Sequence, residues 1–201
     1  MSGSREEASV RDEVRAAACR LVVTRGEGVT PSDVATELGM PVAEVGLADR
    51  DDVLIAALLW SHRGIARRFF GLTAGHLGAP ALRAAIVDHL PLDETRVLET
   101  ELELAVWHRS RLSPKVAEAH HRERVDLLVL LRGALRDTAD NGELVAGVDI
   151  DETAERLLAL VDGLSLHVLL YPDQMSADTA RGVLTEELDR ILRDKPTVSG
   201  Y

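Results

Sequence analysis

The stretch Thr30-Pro31-Ser32-Asp33-Val34-Ala35-Thr36-Glu37-Leu38-Gly39-Met40 constrains the fold more than any other part of this 201-residue chain. Thr30 is placed to cap a helix whose first residue is Pro31, a position where the missing N–H costs nothing. Asp33 sits where a carboxylate meets orphan backbone N–H groups and the positive end of the helix dipole. Val34, Ala35 and Leu38 make one short apolar stripe, and Gly39 supplies the positive-φ residue on which the chain can stop and turn. A capped short helix ending on a glycine turn is the first half of a helix-turn-helix.

The second half is expected as a short helix from about Val42 to Leu47, and its charge is unusual. From Gly26 to Ile55 the only basic residue is Arg50, against Glu27, Asp33, Glu37, Glu44, Asp49, Asp51 and Asp52. A module that reads DNA needs cations facing phosphates, and carboxylates near the groove add repulsion.

The remaining pattern is helical throughout. Val10, Val14, Ala17, Ala18, Leu21 and Val22 follow a helical period that ends near Arg25-Gly26, with residues 1–8 expected to fray. Further helices are expected over about 51–70, 80–90, 91–111, 114–138, 151–170 and 177–193, with a loop across 71–80 and turn chemistry at Asp140-Asn141-Gly142. No segment alternates with period two and no repeat is evident. The fold class is therefore all-α, with about nine to ten helices: a helix-turn-helix domain over residues 1–50 fused to a larger helical domain over 51–201.

Two helices are apolar nearly all round. Between 151 and 170 these are Leu157, Leu158, Leu160, Val161, Leu164, Leu166, Val168 and Leu169, and the second half of 114–138 is similar. A helix without a polar face must be covered on more than one side. The expected cover is a second copy of the chain, with Leu127, Leu131, Leu157, Val161, Leu164 and Val168 at the interface. The competing reading is a wholly intrachain core. Asp162-Gly163 within the apolar helix is read as a tight helix–helix contact point.

Composition narrows the function classes. A net charge of −11 argues against a protein that wraps nucleic acid non-specifically and against a polybasic membrane binder. The single cysteine, Cys19, gives no intramolecular disulfide and suits a reducing cytosol. The start of the chain is polar and acidic, and no apolar run is long enough to span a bilayer, so a cytoplasmic location is expected. There is no phosphate-cradling glycine loop and no recognisable nucleophile–base pairing, so no enzyme activity and no cofactor are expected. His120 and His121 are adjacent, and no carboxylate–histidine set has ligand spacing, so no metal site is expected.

The N-terminal helix, the Thr-x-x-Asp-Val-Ala-x-x-Leu-Gly motif, the long connecting helix and the all-helical remainder together resemble the TetR family of one-component regulators. The C-terminal part is similar to the betaine-pathway repressor type. The matching residues are Leu90-Pro91-Leu92-Asp93-Glu94, Glu101 to Trp107, Asn141-Gly142-Glu143-Leu144, Asp151-Glu152-Thr153-Ala154 and Leu160-Val161-Asp162-Gly163-Leu164. The resemblance covers about residues 10–193. It implies a homodimeric repressor whose two recognition helices enter successive major grooves of double-stranded operator DNA, and which a small-molecule effector releases.

Under that resemblance Thr30, Ser32 and Thr36 reach the DNA backbone, Pro41, Val42, Ala43 and Glu44 face bases, and Arg50 supplies a phosphate contact. Val42 and Ala43 suit thymine methyls, and Glu44 suits cytosine N4. The effector pocket of the family is enclosed by the helices that carry Trp60, Phe69, Trp107, His108, His120, His167 and Tyr171. The chain departs from the family after Gly39: Gly46 and Asp49 stand where a Tyr-x-x-Phe-like element is expected, and Asp51-Asp52 stands near the expected Lys. The segment is also about one residue short. The alternative these departures raise is a degenerate member that no longer binds DNA and acts by protein–protein interaction.

Overall fold

The computed structural model describes residues 2–74 and 78–193, with side chains from Glu7 onward. Among the described residues it has nine helices and no strand. These are α1 (Ser2–Arg25), α2 (Pro31–Leu38), α3 (Val42–Val45), α4 (Arg50–Thr73), α5 (Ala79–Val87), α6 (Glu94–Ser110), α7 (Pro114–Asp140), α8 (Ile150–Leu170) and α9 (Ala177–Ile191). No described helix is long and apolar enough to cross a membrane.

The all-helical expectation holds, and several boundaries differ from it: α5 ends at Val87 rather than near 90, α6 begins at Glu94 rather than 91, and three others have a clear cause. Helix α1 starts at Ser2, because Arg5, Glu6, Glu7 and Ala8 are good helix formers and carry no stop signal. Helix α3 is only four residues long, since Gly46 adopts φ +70° and ends it. Helix α4 continues through Gly71 to Thr73, whose hydroxyl donates to the Phe69 carbonyl at 2.9 Å. Residues 75–77 of the expected 71–80 loop lie outside the described residues.

The chain divides into two compact units, one of Met1–Ile65 with Val97–Arg124 and the other of Ala66–Arg96 with Val125–Tyr201. Helices α4, α6 and α7 contribute residues to both. In the first unit, Ala17, Ala18 and Leu21 of α1, Val34 of α2, Val45 of α3, Leu58 of α4, Val106 of α6 and Val116 of α7 make one buried cluster. In the second unit the core is Leu82 and Ile86 of α5, Leu131 and Leu135 of α7, Leu157 and Val161 of α8, and Leu184 and Leu188 of α9.

Carboxylates and hydroxyls supply most of the helix starts. Asp149 accepts from the Glu152 N–H at 2.9 Å to open α8, and Ser176 accepts from the Thr179 N–H at 3.1 Å to open α9. Helix α5 is capped from far along the chain. Buried Glu143 accepts from the Ala79 N–H at 2.6 Å, and Gly78 at φ +80° leaves no room for a side chain, since a Cβ there would lie 2.0 Å from the Glu143 carboxylate. Glu143 is held in turn by an isolated antiparallel bridge between Leu144 and Leu192, with Arg193 donating its N–H to the Glu143 carbonyl at 2.8 Å.

Two substitutions probe these cores and caps. Thr30→Ala removes the α2 cap and should lower unfolding free energy by about 1 kcal/mol. Leu157→Ala, at a side chain with no exposure, should cost about 2–5 kcal/mol. Urea titrations followed by circular dichroism measure both, and equal midpoints for Thr30→Ala and wild type would refute the cap's contribution.

Candidate nucleic-acid interface and regulatory helices

The start of α2 is a reciprocal capping box. Thr30 is extended, at φ −111° and ψ 163°, and its hydroxyl accepts from the Asp33 N–H at 3.3 Å. Asp33 in return accepts from the Thr30 N–H at 2.8 Å and from its hydroxyl at 2.5 Å. These bonds hold the Asp33 carboxyl below the usual carboxylate range. The helix closes on Gly39 at φ +64°, with the Met40 N–H bonded to the Ala35 carbonyl at 3.1 Å.

The expected DNA-facing residues all fall in the first unit. Ser32, Thr36, Pro41, Ala43, Glu44 and Arg50 are exposed, and Val42 is 47% exposed, high for a large apolar side chain. Thr30 is half-buried with its hydroxyl spent on the cap, and Thr36 donates to the Ser32 carbonyl at 2.8 Å. Nearby cations are mostly spent too: Arg20 pairs with Glu37 at 3.5 Å, and Arg25 with Asp33 at 3.8 Å. Arg50 makes no ion pair among the described residues.

The acidic residues that follow α3 do not stand free beside it. Asp51 takes hydrogen bonds from Arg109 and Ser113, each at 2.7 Å. Asp52 accepts from the Ala48 N–H at 2.9 Å and pairs with Lys115, which also lies 3.5 Å from Asp49. Repulsion expected from the sequence is therefore compensated from α6 and α7.

The residues expected around an effector separate into three places. Trp107 and His120 come together in the first unit, with the indole N–H donating to His120 Nε2 at 3.2 Å. Half-buried Trp60 lies on α4 of the same unit, whereas His108 is at the surface, 3.4 Å from Glu27. In the second unit Phe69 is buried against Ile86, His89, Leu127, Leu131, Leu158 and Val161, which enclose only about 10 Å³. His167 and Tyr171 meet edge to face at a ring separation of 5.6 Å, both exposed.

Sequence reasoning missed the group that organises the first of these places. Glu103 bridges two histidines, with His62 Nε2 2.5 Å from one carboxylate oxygen and His120 Nε2 3.3 Å from the other. Glu123 lies 3.7 Å from His62 Nδ1. One atom, His120 Nε2, thus faces both a donor and an acceptor. With its lone pair free it accepts from Trp107; carrying a hydrogen it donates to Glu103 and gives up the indole. Burial would raise the Glu103 pKa, but the hydrogen bonds and charges of His120 and His62 overcome it and hold it at about 2. Burial likewise opposes the charge on His62, yet the Glu103 bond and the charges of Glu103, Glu123 and Glu99 raise its pKa. A signal was present in the sequence: Glu99, Glu103 and Trp107 recur every four residues on one face of α6. Among the described residues no group of three His, Cys, Asp or Glu is arranged to hold a metal ion.

The expected interface residues Leu131, Leu157, Val161 and Leu164 are buried within the second unit itself, while Leu127 and Val168 are half-buried. Exposed apolar side chains on the same helices are Val125 and Val129 of α7 and Leu170 of α8. Gly163, expected at a tight contact, has nothing beyond its own helix backbone within 4 Å of where a Cβ would stand, and Gly133 of α7 is equally open.

Comparison with known proteins places these features. The family model described as BetI-type transcriptional repressor, C-terminal, matches residues 79–193. The HTH-type transcriptional regulator PksA of Bacillus subtilis (strain 168) is 24% identical over 185 residues, covering 90% of this chain and 89% of that protein. A putative transcriptional regulator from Saccharomonospora viridis, solved in complex with choline, superposes with a TM-score of 0.79 at 26% identity over 93% of this chain and all of that one. A putative TetR-family transcriptional regulator from Rhodococcus sp. shares the fold at a TM-score of 0.82 and 20% identity, over 92% of this chain and 100% of the other. The matched model alone spans more than half of the sequence, and the chain belongs to the BetI-type repressors of the TetR family of transcriptional regulators.

Proposed function

We propose that this protein is a homodimeric repressor that binds operator DNA through α2 and α3 and releases it on binding a small-molecule effector. One observation carries the DNA-binding part. The helix-turn-helix is locked by the Thr30–Asp33 box and the Gly39 turn, and it presents Ser32, Thr36, Val42, Ala43, Glu44 and Arg50 together to solvent. The reading surface is nearly neutral, so base-edge and methyl contacts outweigh phosphate contacts.

Dimerisation through α7 and α8 is supported by the two open glycines. A glycine in mid-helix costs about 1 kcal/mol relative to alanine, and nothing in the chain's own packing near Gly133 or Gly163 needs it. A second copy brought close there, flanked by Val125, Val129, Val168 and Leu170, does. For the effector, the Glu103–His62–His120–Trp107 group places an indole beside a histidine–carboxylate network. The choline complex of the Saccharomonospora viridis protein makes a small organic cation the first compound to try.

A second reading, in which the chain acts only by protein–protein contact, draws support from the single-turn α3. The two separate in one assay. A fragment from upstream of the protein's own coding region should be retarded at low salt. The dependence of log affinity on log salt should have a slope of only about −2 to −4, as one or two phosphate contacts per protomer imply. No retardation at micromolar dimer favours the second reading.

Gly163→Leu should convert the dimer to monomer in sedimentation experiments without loss of helicity, and an unchanged dimer would place the interface elsewhere. The histidine–glutamate group gives a pH signature. Stabilisation from His62, raised above its ordinary 6.5, is full below that pH and is lost as pH rises through the higher folded value. Stabilisation from Glu103, held at about 2, is present above its ordinary 4.5 and is lost as pH falls below it. The stability difference between wild type and Glu103→Gln should therefore be largest between about pH 4.5 and 6.5. A difference that stays flat from pH 4 to 9 would refute the assignment.

A further inference from the structure

We propose that Asp49, Asp51 and Asp52 are positioning residues for the recognition helix, holding α3 in place for DNA through Arg109, Ser113 and Lys115 at the corner between α6 and α7. This rests on the reading that α3 faces DNA.

Helix α3 cannot hold itself. It has one turn, Val42–Val45, no side-chain cap at Pro41, and a glycine stop at φ +70°. A single turn has formed the costly nucleus and little else. Its anchors are Val45, buried in the core of the first unit, and the tether of Leu47, Ala48 and Asp49 that leads into α4.

That tether is bolted. The Ala48 N–H donates to the Asp52 carboxylate at 2.9 Å, and the Asp52 N–H donates to the Asp49 carboxylate at 2.9 Å, so the two side chains fix the approach to α4 reciprocally. Lys115 then binds both carboxylates, and Arg109 and Ser113 hold Asp51. Hydrogen bonds from Arg109 and Ser113 keep Asp51 below the usual carboxylate range. Burial would raise Asp52, but Lys115 and the Ala48 N–H outweigh it. Asp51 and Asp52 are thus poised to stay charged and paired at neutral pH. The partners come from positions 58 to 66 residues along the chain, so any shift of the α6–α7 corner pulls on the segment that ends the recognition helix.

Asp51→Asn and Asp52→Asn give the positioning role and plain electrostatic repulsion opposite signs. If these carboxylates only repel phosphates, removing one negative charge strengthens operator binding. If they position α3, each variant should weaken binding at least tenfold at fixed salt. Asp51→Arg combined with Arg109→Asp should recover part of that loss, although its net charge equals that of wild type.

Hydrogen exchange without DNA is the second arm. The amides of residues 44–48 should exchange at least tenfold faster in Asp52→Asn, while those of α1 and the first turn of α2 stay unchanged. Tighter operator binding by the Asn variants, or unchanged exchange at 44–48, overturns the proposal. Wild type that fails to retard DNA refutes the repressor reading instead, and exchange then decides the positioning role alone.

Discussion

Every helix begins with N–H groups that its own turns cannot satisfy, and in an all-helical chain finding acceptors for them is the constraint on which the rest depends. Here carboxylates supply an acceptor at several of the helix starts. Asp49 takes the Asp52 N–H in the first turn of α4, Glu143 serves α5, Asp93 takes the Arg96 N–H at 3.0 Å in the first turn of α6, Asp149 serves α8, and Asp33 and Asp52 take the N–H groups of Thr30 and Ala48 just ahead of α2 and α4. A net charge of −11 is therefore not spread idly over the surface. Some of it sits where helix dipoles favour it, and other carboxylates pair with the chain's own Arg20, Arg25, Arg109 and Lys115, which leaves few cations near α3 for any outside partner.

The same economy shapes both halves of the reading unit. Thr30 and Asp33 close on each other within four residues, so α2 is set locally. Beyond α3 the acids need Arg109 and Lys115, which α6 and α7 bring from far along the chain. The rigid element and the dependent element stand side by side in one unit. Glu103 repeats the pattern deeper in that unit, joining a histidine of α4 to one of α7 from its place on α6.

What was legible in the sequence was what depends on neighbours. The cap at Thr30, Pro31 at the first helical position and the stop at Gly39 all lie within one turn or two, and each stands as read. The pairing of His62 with Glu103 was hidden because it joins side chains 41 residues apart, and helical periodicity says which face a residue occupies, not what it meets. The acids at 49–52 were legible as charges but not as partners, and counting them alone suggests repulsion. Gly163 suggested a close contact, yet its own chain leaves the space beside it open. Burial of Leu157 and Leu164 by the chain's own helices was one of two covers the pattern allowed.

The scarcity of unspent cations around α3 has a consequence for how such a protein would be distributed in a cell. Non-specific attachment to DNA is almost wholly a matter of phosphate neutralisation, and a chromosome offers millions of such places. A regulator that keeps its arginines and lysines for its own carboxylates would leave that reservoir nearly empty. Its unbound pool would then follow its rate of synthesis closely, and a small number of copies would suffice to fill one site. The cost would fall on search, because a protein with little hold on random sequence cannot slide far along the duplex and must find its target by repeated collision from solution.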